Sequence, residues 1–184
     1  MNRTVPLLLA SLLLAGCVVN PAMVQPARNY AMSPTLDKQP TWRTAVLPPT
    51  GGAETEPLSG LYDYAGMALM KTNRFTLLDR ATVEALLREQ QFGSSGMVDP
   101  ATAVRLGKLL GAQAVMTVNI TRLKHDDFFS DSPEYREAEL YVKLIAVETA
   151  EVLYSATGEG SDFEGADGAL RTALDAALYP LNKP

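Results

Sequence analysis

"RFTLLDRATVEALLREQQFGSSGMVDPATAVRLGKLLGAQAVMTVNITRL", Arg74 to Leu123, changes its apolar period along its length. Its opening, "RFTLLD", reads as a short strand. Asp79 then stands where a helix N-cap belongs. Val83, Leu86, Leu87 and Gln90 fall on one side of the helix that follows. "GSSGMVD" interrupts the pattern as a loop. Asp99-Pro100 restarts it, with a capping carboxylate and a proline at the first helical position, where the missing N–H costs nothing. Ala103, Leu106, Gly107 and Leu110 form the buried stripe of this second helix. Gly107 in that stripe predicts close contact between helix and sheet, and Gly111 suits a C-cap. "AQAVMTVNITRL" then alternates as a long strand. Ala114, Met116, Val118 and Ile120 point one way, and Val115, Thr117, Asn119 and Thr121 the other.

The flanks extend the same alternation of strand and helix. Upstream, "WRTAVLPPT" predicts a strand over Arg43–Leu47, ended by Pro48-Pro49, which cannot continue a sheet ladder. Leu58, Leu61, Ala65, Ala68 and Leu69 share one helical face. Downstream, "AELYVKLIAV" and "EVLYSATGE" read as two strands joined by the polar turn Glu148-Thr149-Ala150-Glu151, an antiparallel hairpin. A final helix carries Leu170, Ala173, Leu174, Ala177 and Leu181 on one side. The order βαβααβββα predicts an α/β domain: a three-layer sandwich with a central mixed β-sheet flanked by helices.

The N-terminus has a different character. Arg3 precedes the apolar run Leu7–Ala15, which is too short for a membrane span of about 20 residues. A basic start, a short apolar middle and small residues before a cut site describe a signal peptide. Leu14-Ala15-Gly16-Cys17 resembles the lipobox of bacterial lipoproteins. Leu14, Ala15 and Gly16 would be the peptidase recognition residues, and Cys17 the acylated first residue of the mature chain. Burial of acyl chain is worth about 0.8 kcal/mol per CH₂, so two or more chains hold a protein firmly on a membrane. Val18 stands where an aspartate would signal retention at the inner membrane, so the expected location is the outer membrane, with the domain facing the periplasm. The expected organisation is a signal peptide over 1–16, a flexible proline-containing tether over 17–41 (Pro21, Pro26, Pro34, Pro40) and a periplasmic domain over 42–184, with regular structure beginning at Trp42.

The chain has 184 residues and a net charge of −5; Arg3 leaves with the signal peptide, which takes the charge to −6. That balance argues against nucleic acid, whose phosphates need a basic patch, and permits a cationic partner. The single cysteine allows no intrachain disulfide. His125 is also single. Beside Asp126 and Asp127 it has no second imidazole, no thiol and no nucleophile at a recognisable spacing, so a solvated loop histidine is the expected reading. Gly93-Ser94-Ser95-Gly96 lacks the lysine of a phosphate-binding loop. Glu84 and Glu89 keep a polar helix face solvated. No catalytic residue, metal site or cofactor is expected beyond the covalent lipid on Cys17. The best contact candidate is the loop Asp126-Asp127-Phe128-Phe129-Ser130-Asp131. Its two aromatics are covered by a partner, cargo or the membrane surface, or fold back on the core, and its carboxylates favour a protein or a cationic polymer over anionic lipid. Trp42 is expected as a packed cap at the domain entry, and Tyr30 as a solvated tether residue.

Four pieces together resemble the curli-secretion lipoprotein (CsgG) family: "AVLP", the long stretch quoted above, "AVETAEVLYSATGEG" and the terminal helix. Ala150 stands where that family usually has glycine. The resemblance implies a fold like that of anticodon-binding or TolB N-terminal domains, and work at the outer membrane, often as a homo-oligomeric ring. Channel-forming members add two membrane hairpins, one between the third and fourth strands and one before the last helix. A membrane hairpin needs roughly 20 residues of alternating apolar character. The two candidate inserts here, "HDDFFSDSP" and "SDFEGADGA", are nine residues each and acidic. The chain therefore looks most like members without hairpins. One kind (PelC-like) serves exopolysaccharide export beneath a separate outer-membrane β-barrel. The other (LpoB-like) is a monomeric regulator of a peptidoglycan synthase.

Overall fold

The computed structural model describes residues 27, 29–52, 58–90, 99–124, 136–163 and 165–182. The elements in chain order are β1 (Asn29–Met32), β2 (Trp42–Val46), β3 (Thr50–Gly51), α1 (Ser59–Lys71), β4 (Phe75–Leu77), α2 (Arg80–Glu89), α3 (Pro100–Leu110), β5 (Ala114–Lys124), β6 (Arg136–Ala146), β7 (Val152–Asp162) and α4 (Ala166–Leu178). Short 3-10 helices occupy Pro34–Lys38 and Tyr179–Asn182. From β2 to α4, with the two-residue β3 set aside, the order is the expected βαβααβββα.

One sheet runs β1-β7-β6-β5-β2-β4, with β3 also paired to β5. β2 lies parallel to β4 and β5, whereas β5, β6, β7 and β1 are successively antiparallel, so the sheet is mixed. Helices cover both faces. α1 and α4 pack on the even-numbered side of β5 and β6, over Met116, Val118, Leu140, Val142 and Leu144. Val83 of α2 and Ala103 and Leu106 of α3 pack on the other side, over Val115, Ile145 and Val147.

The local signals act as their chemistry requires. Asp79 accepts from the Thr82 backbone N–H at 3.0 Å, and Asp99 from those of Ala101 and Thr102 at 2.9 and 3.0 Å. The Thr102 hydroxyl, which donates to Asp99 Oδ2 at 2.6 Å, and then these backbone bonds hold the Asp99 carboxyl below its ordinary range. Gly111 closes α3 at φ +63°. A Cβ on Gly107 would lie 2.4 Å from Val147 Cγ2 and 2.7 Å from Val115 Cγ2, so the expected close approach of α3 to the sheet is real. Gln90 is the exception. It is the exposed C-cap of α2, outside the apolar stripe, because the helix ends one residue before it.

Two features depart from the expectation upstream. Regular structure begins at Asn29, not Trp42. β1 pairs with β7 from Asn29↔Thr157 to Met32↔Tyr154. The 3-10 helix after it buries Leu36 completely. Trp42 is buried as expected, and its indole N–H donates to the Leu36 carbonyl at 3.0 Å. Ala27 N–H donates to the Ala176 carbonyl of α4 at 3.0 Å. Thus Ala27 and residues 29–41 belong to the domain, since edge pairing and one buried leucine order a segment with no apolar period of its own. Tyr30 accordingly sits on a strand rather than on a solvated tether, its ring centroid 6.4 Å from that of Tyr154.

Candidate interaction face

The sheet face carrying α2 and α3 is covered only at one end. Beyond Val115 and Ile145 its side chains turn polar and no described helix lies over them. Register sets these residues in rows across four strands: Thr117, Lys143, Ser155 and Ala31, then Asn119, Tyr141, Thr157 and Asn29. The Lys143 ammonium lies 5.1 Å from the Tyr141 ring centroid, a cation–π distance. Asn119 Nδ2 donates to Thr50 Oγ1 at 3.1 Å. A shallow groove opens where this face meets Pro48 and Pro100.

Toward the β5–β6 hairpin the rows become charged. Arg122 pairs with Glu139 at 3.4 Å and Lys124 with Glu137 at 3.1 Å. Glu159 stands directly across from Glu139, a like-charge neighbour that weakens the ladder locally. At the same end Phe163 follows β7 with 65% of its surface exposed. In the sequence Phe163 belongs only to the possible insert "SDFEGADGA". Its signal was an aromatic among "SDFEG", the same signal that drew attention to Phe128 and Phe129.

The remaining polar clusters knit the layers. Arg80 of α2 pairs with Asp63 at 2.5 Å and Glu84 at 2.7 Å, which holds its guanidinium charged. It also lies 4.5 Å from the Tyr62 ring centroid. Burial, helped by Glu84, pushes the Tyr62 hydroxyl up to about 12, and it donates to the Val46 carbonyl at 3.0 Å. Tyr64 donates to Asp175 of α4 at 2.6 Å, and burial together with that bond raises it to about 12. Glu84 therefore has a structural partner as well as a solvated face. Among the described residues every buried side-chain N or O atom has a hydrogen-bond partner.

Leu14, Ala15, Gly16 and Cys17 lie outside the described residues, as do His125, Asp126, Asp127, Phe128, Phe129 and Asp131. The structure does place both ends of that loop: β5 stops at Lys124 and β6 starts at Arg136. The second candidate insertion point is explicit, for β7 ends at Asp162 and α4 begins at Ala166. Three residues join them.

A mixed sheet with this order and two helices on each face defines an open-sheet α/β domain of the three-layer sandwich class. The sequence model of the curli production assembly/transport component CsgG matches residues 50–171. The chain belongs to the CsgG family. No curated protein matches the sequence closely. Among solved structures, the PelC dodecamer of Paraburkholderia phytofirmans is similar at a TM-score of 0.55 and 16% identity, over 85% of this chain and 96% of that one. A variant of the same dodecamer gives a TM-score of 0.57 at 14% identity, over 84% and 98%. A lipoprotein of Neisseria meningitidis gives 0.53 at 15%, over 75% and 95%. At such identities the likeness speaks of the fold alone.

Proposed function

We propose that this protein is an outer-membrane-anchored periplasmic lipoprotein, cleaved after Gly16 and acylated at Cys17. It serves as a non-catalytic, ring-forming component of an export apparatus for exopolysaccharide or a curli-like cargo. The observation that carries the reading is the passage from Asp162 to Ala166. Three residues cannot hold a membrane hairpin of roughly 20, so the domain needs a separate channel, such as an outer-membrane β-barrel. Family membership supports a role in assembly or transport. The dodecameric state of the PelC relatives supports a ring. The open polar face supplies a surface for neighbouring subunits or a cationic polymer. The 126–131 loop, with Asp126, Asp127, Phe128, Phe129 and Asp131, is the proposed contact for partner or cargo.

The anchor's reach also bears on the choice of role. With Ala27 bonded to α4, only residues 18–26 separate Cys17 from the domain, and nine residues span at most about 30 Å. So short a tether keeps the domain beside its own membrane. It favours a membrane-side export assembly over a regulator that must reach a synthase elsewhere.

Native mass spectrometry of residues 18–184 tests the ring. A closed oligomer is expected, and a monomer at every concentration overturns it. Palmitate labelling should mark the wild-type chain and not Cys17→Ser. Purified protein should leave planar bilayers non-conducting, and discrete conductance steps would reject the separate-channel reading.

A further inference from the structure

We infer that the end of the domain where the tether enters, marked by exposed Tyr30 and Tyr179, rests on the phospholipid headgroups of the leaflet that holds the anchor. The inference rests on acylation at Cys17. Two observations locate the surface. First, the chain enters the domain at Ala27, fixed to Ala176 near the C-terminal end of α4. A domain of this size is about 40 Å across. The nine preceding residues reach at most about 30 Å, so the side bearing Ala27 is the one held toward the lipid. Second, that side displays tyrosines. Tyr30 on β1 is 49% exposed and Tyr179, the C-cap of α4, is 42% exposed. They belong to one neighbourhood. The Tyr30 ring stacks obliquely on Tyr154, whose hydroxyl donates to the Ala177 carbonyl, one residue from the tether's own bond to Ala176.

Tyrosine suits this position because its ring prefers the headgroup layer, apolar at one end and hydrated at the other. The net negative charge of the chain gives no attraction to anionic lipid. The contact therefore depends on the exposed tyrosine rings, of which Tyr30 alone remains in the labelled variant below, and on the high effective concentration that a short tether imposes. The free domain should show little affinity for vesicles, whereas the acylated chain should lie against them.

The test uses the full acylated chain in vesicles of phosphatidylethanolamine and phosphatidylglycerol. Its native thiol is consumed by lipid, so an introduced cysteine takes a nitroxide label alone. At Tyr179→Cys the label should be shielded from a water-soluble nickel relaxant at least threefold compared with the same label on residues 18–184 in solution. At Lys108→Cys, on α3 across the sheet, it should stay fully accessible. Replacing Tyr30 with serine should restore most of the accessibility at position 179. Inserting 20 Gly/Ser residues after Val19 should lower the docked-to-free ratio about sixfold, following the −3/2 power of tether length. Mass spectrometry separates the possible failures. An unacylated chain overturns the anchor and this inference together. An acylated chain whose position-179 label remains as accessible as in solution overturns the docking face and leaves the anchor standing.

Discussion

A methyl group placed on Gly158 tests how α4 is seated. The helix lies directly on β7: a Cβ at Gly158 would stand 1.9 Å from the Ala173 carbonyl oxygen and 2.9 Å from Ala177 Cβ. Ordinary contact begins near 3.4 Å, so α4 would have to withdraw by more than 1 Å. A gap of 0.5–1 Å already forfeits about a quarter to a half of the dispersion attraction across it. The contact that would open includes the buried residues Ala169, Leu170, Ala173, Leu174 and Ala177. Overpacking of this kind costs about 1–3 kcal/mol, and backbone atoms as the obstacle place Gly158→Ala at the top, near 3 kcal/mol. Reduced freedom of the unfolded chain returns about 0.4–1 kcal/mol. For a domain of this size, 1 kcal/mol shifts Tm by about 2–4 °C. The expected drop for the soluble domain is therefore about 4–10 °C in a circular-dichroism melt. Gly66→Ala is the control. Its Cβ would meet only the Leu77 Cδ1 methyl, at 3.3 Å, and alanine inside α1 should hold or raise Tm. If both variants melt within 2 °C of each other, the seating of α4 on bare backbone is not what those glycines provide.

Leu36→Ala should cost about 2–5 kcal/mol, as for any fully buried leucine, measured by urea unfolding; an unchanged midpoint would return residues 29–41 to the tether. Ala150 holds φ +59°, where a side chain costs about 1–2 kcal/mol, so Ala150→Gly should stabilise by about 0.5 kcal/mol net, and a lower midpoint would contradict the turn geometry. Asp79→Ala should cost about 1 kcal/mol through loss of the cap, read as a Tm decrease of about 2–4 °C. Burial and, for Tyr64, the bond to Asp175 raise Tyr62 and Tyr64 to about 12, and burial pushes Tyr154 higher still. The folded state thus favours their neutral form. The stability this confers is complete below pH 10 and is lost as pH rises from about 10 toward 12. An absorbance titration at about 295 nm should show these three ionising late, together with unfolding. A single midpoint near 10 for all seven tyrosines with circular dichroism unchanged would refute the assignment.

Most of the fold was legible because its punctuation is chemical and local. Asp79, Asp99-Pro100 and Gly111 announce helix ends through atoms that bond within four residues. The alternation of Ala114 to Ile120 likewise follows from the pleat alone, whereas the bulge at Thr121 does not. β1 was not legible because "NYAM" is held by backbone pairing at an edge, with three of its four side chains exposed. A single leucine in "PTLDK" carries no period. The seat of α4 was equally silent: Gly158 and Gly160 matter only because a helix distant in sequence lands on them. The open face was half visible. Thr117, Asn119 and Lys143 stood in the alternation, but only the register shows that they line up with Ser155 and Thr157 and that no described helix reaches them. Cys17 and the 126–131 loop lie outside the described residues, and the sequence alone speaks for them.

The strand that completes the sheet is also the first piece of the domain that a pull from the N-terminus would meet. β1 runs antiparallel to β7, and the bonds between them lie across the direction of the chain. Tension entering at Ala27 would load those bonds in shear, side by side, before it reached β2 or the leucines beneath it. Leu36 and the indole of Trp42 stand behind them as a second stop. On the proposed anchor, a cell envelope that flexes would thus strain a short edge ladder first, one that can open and close again while the four helices keep their places.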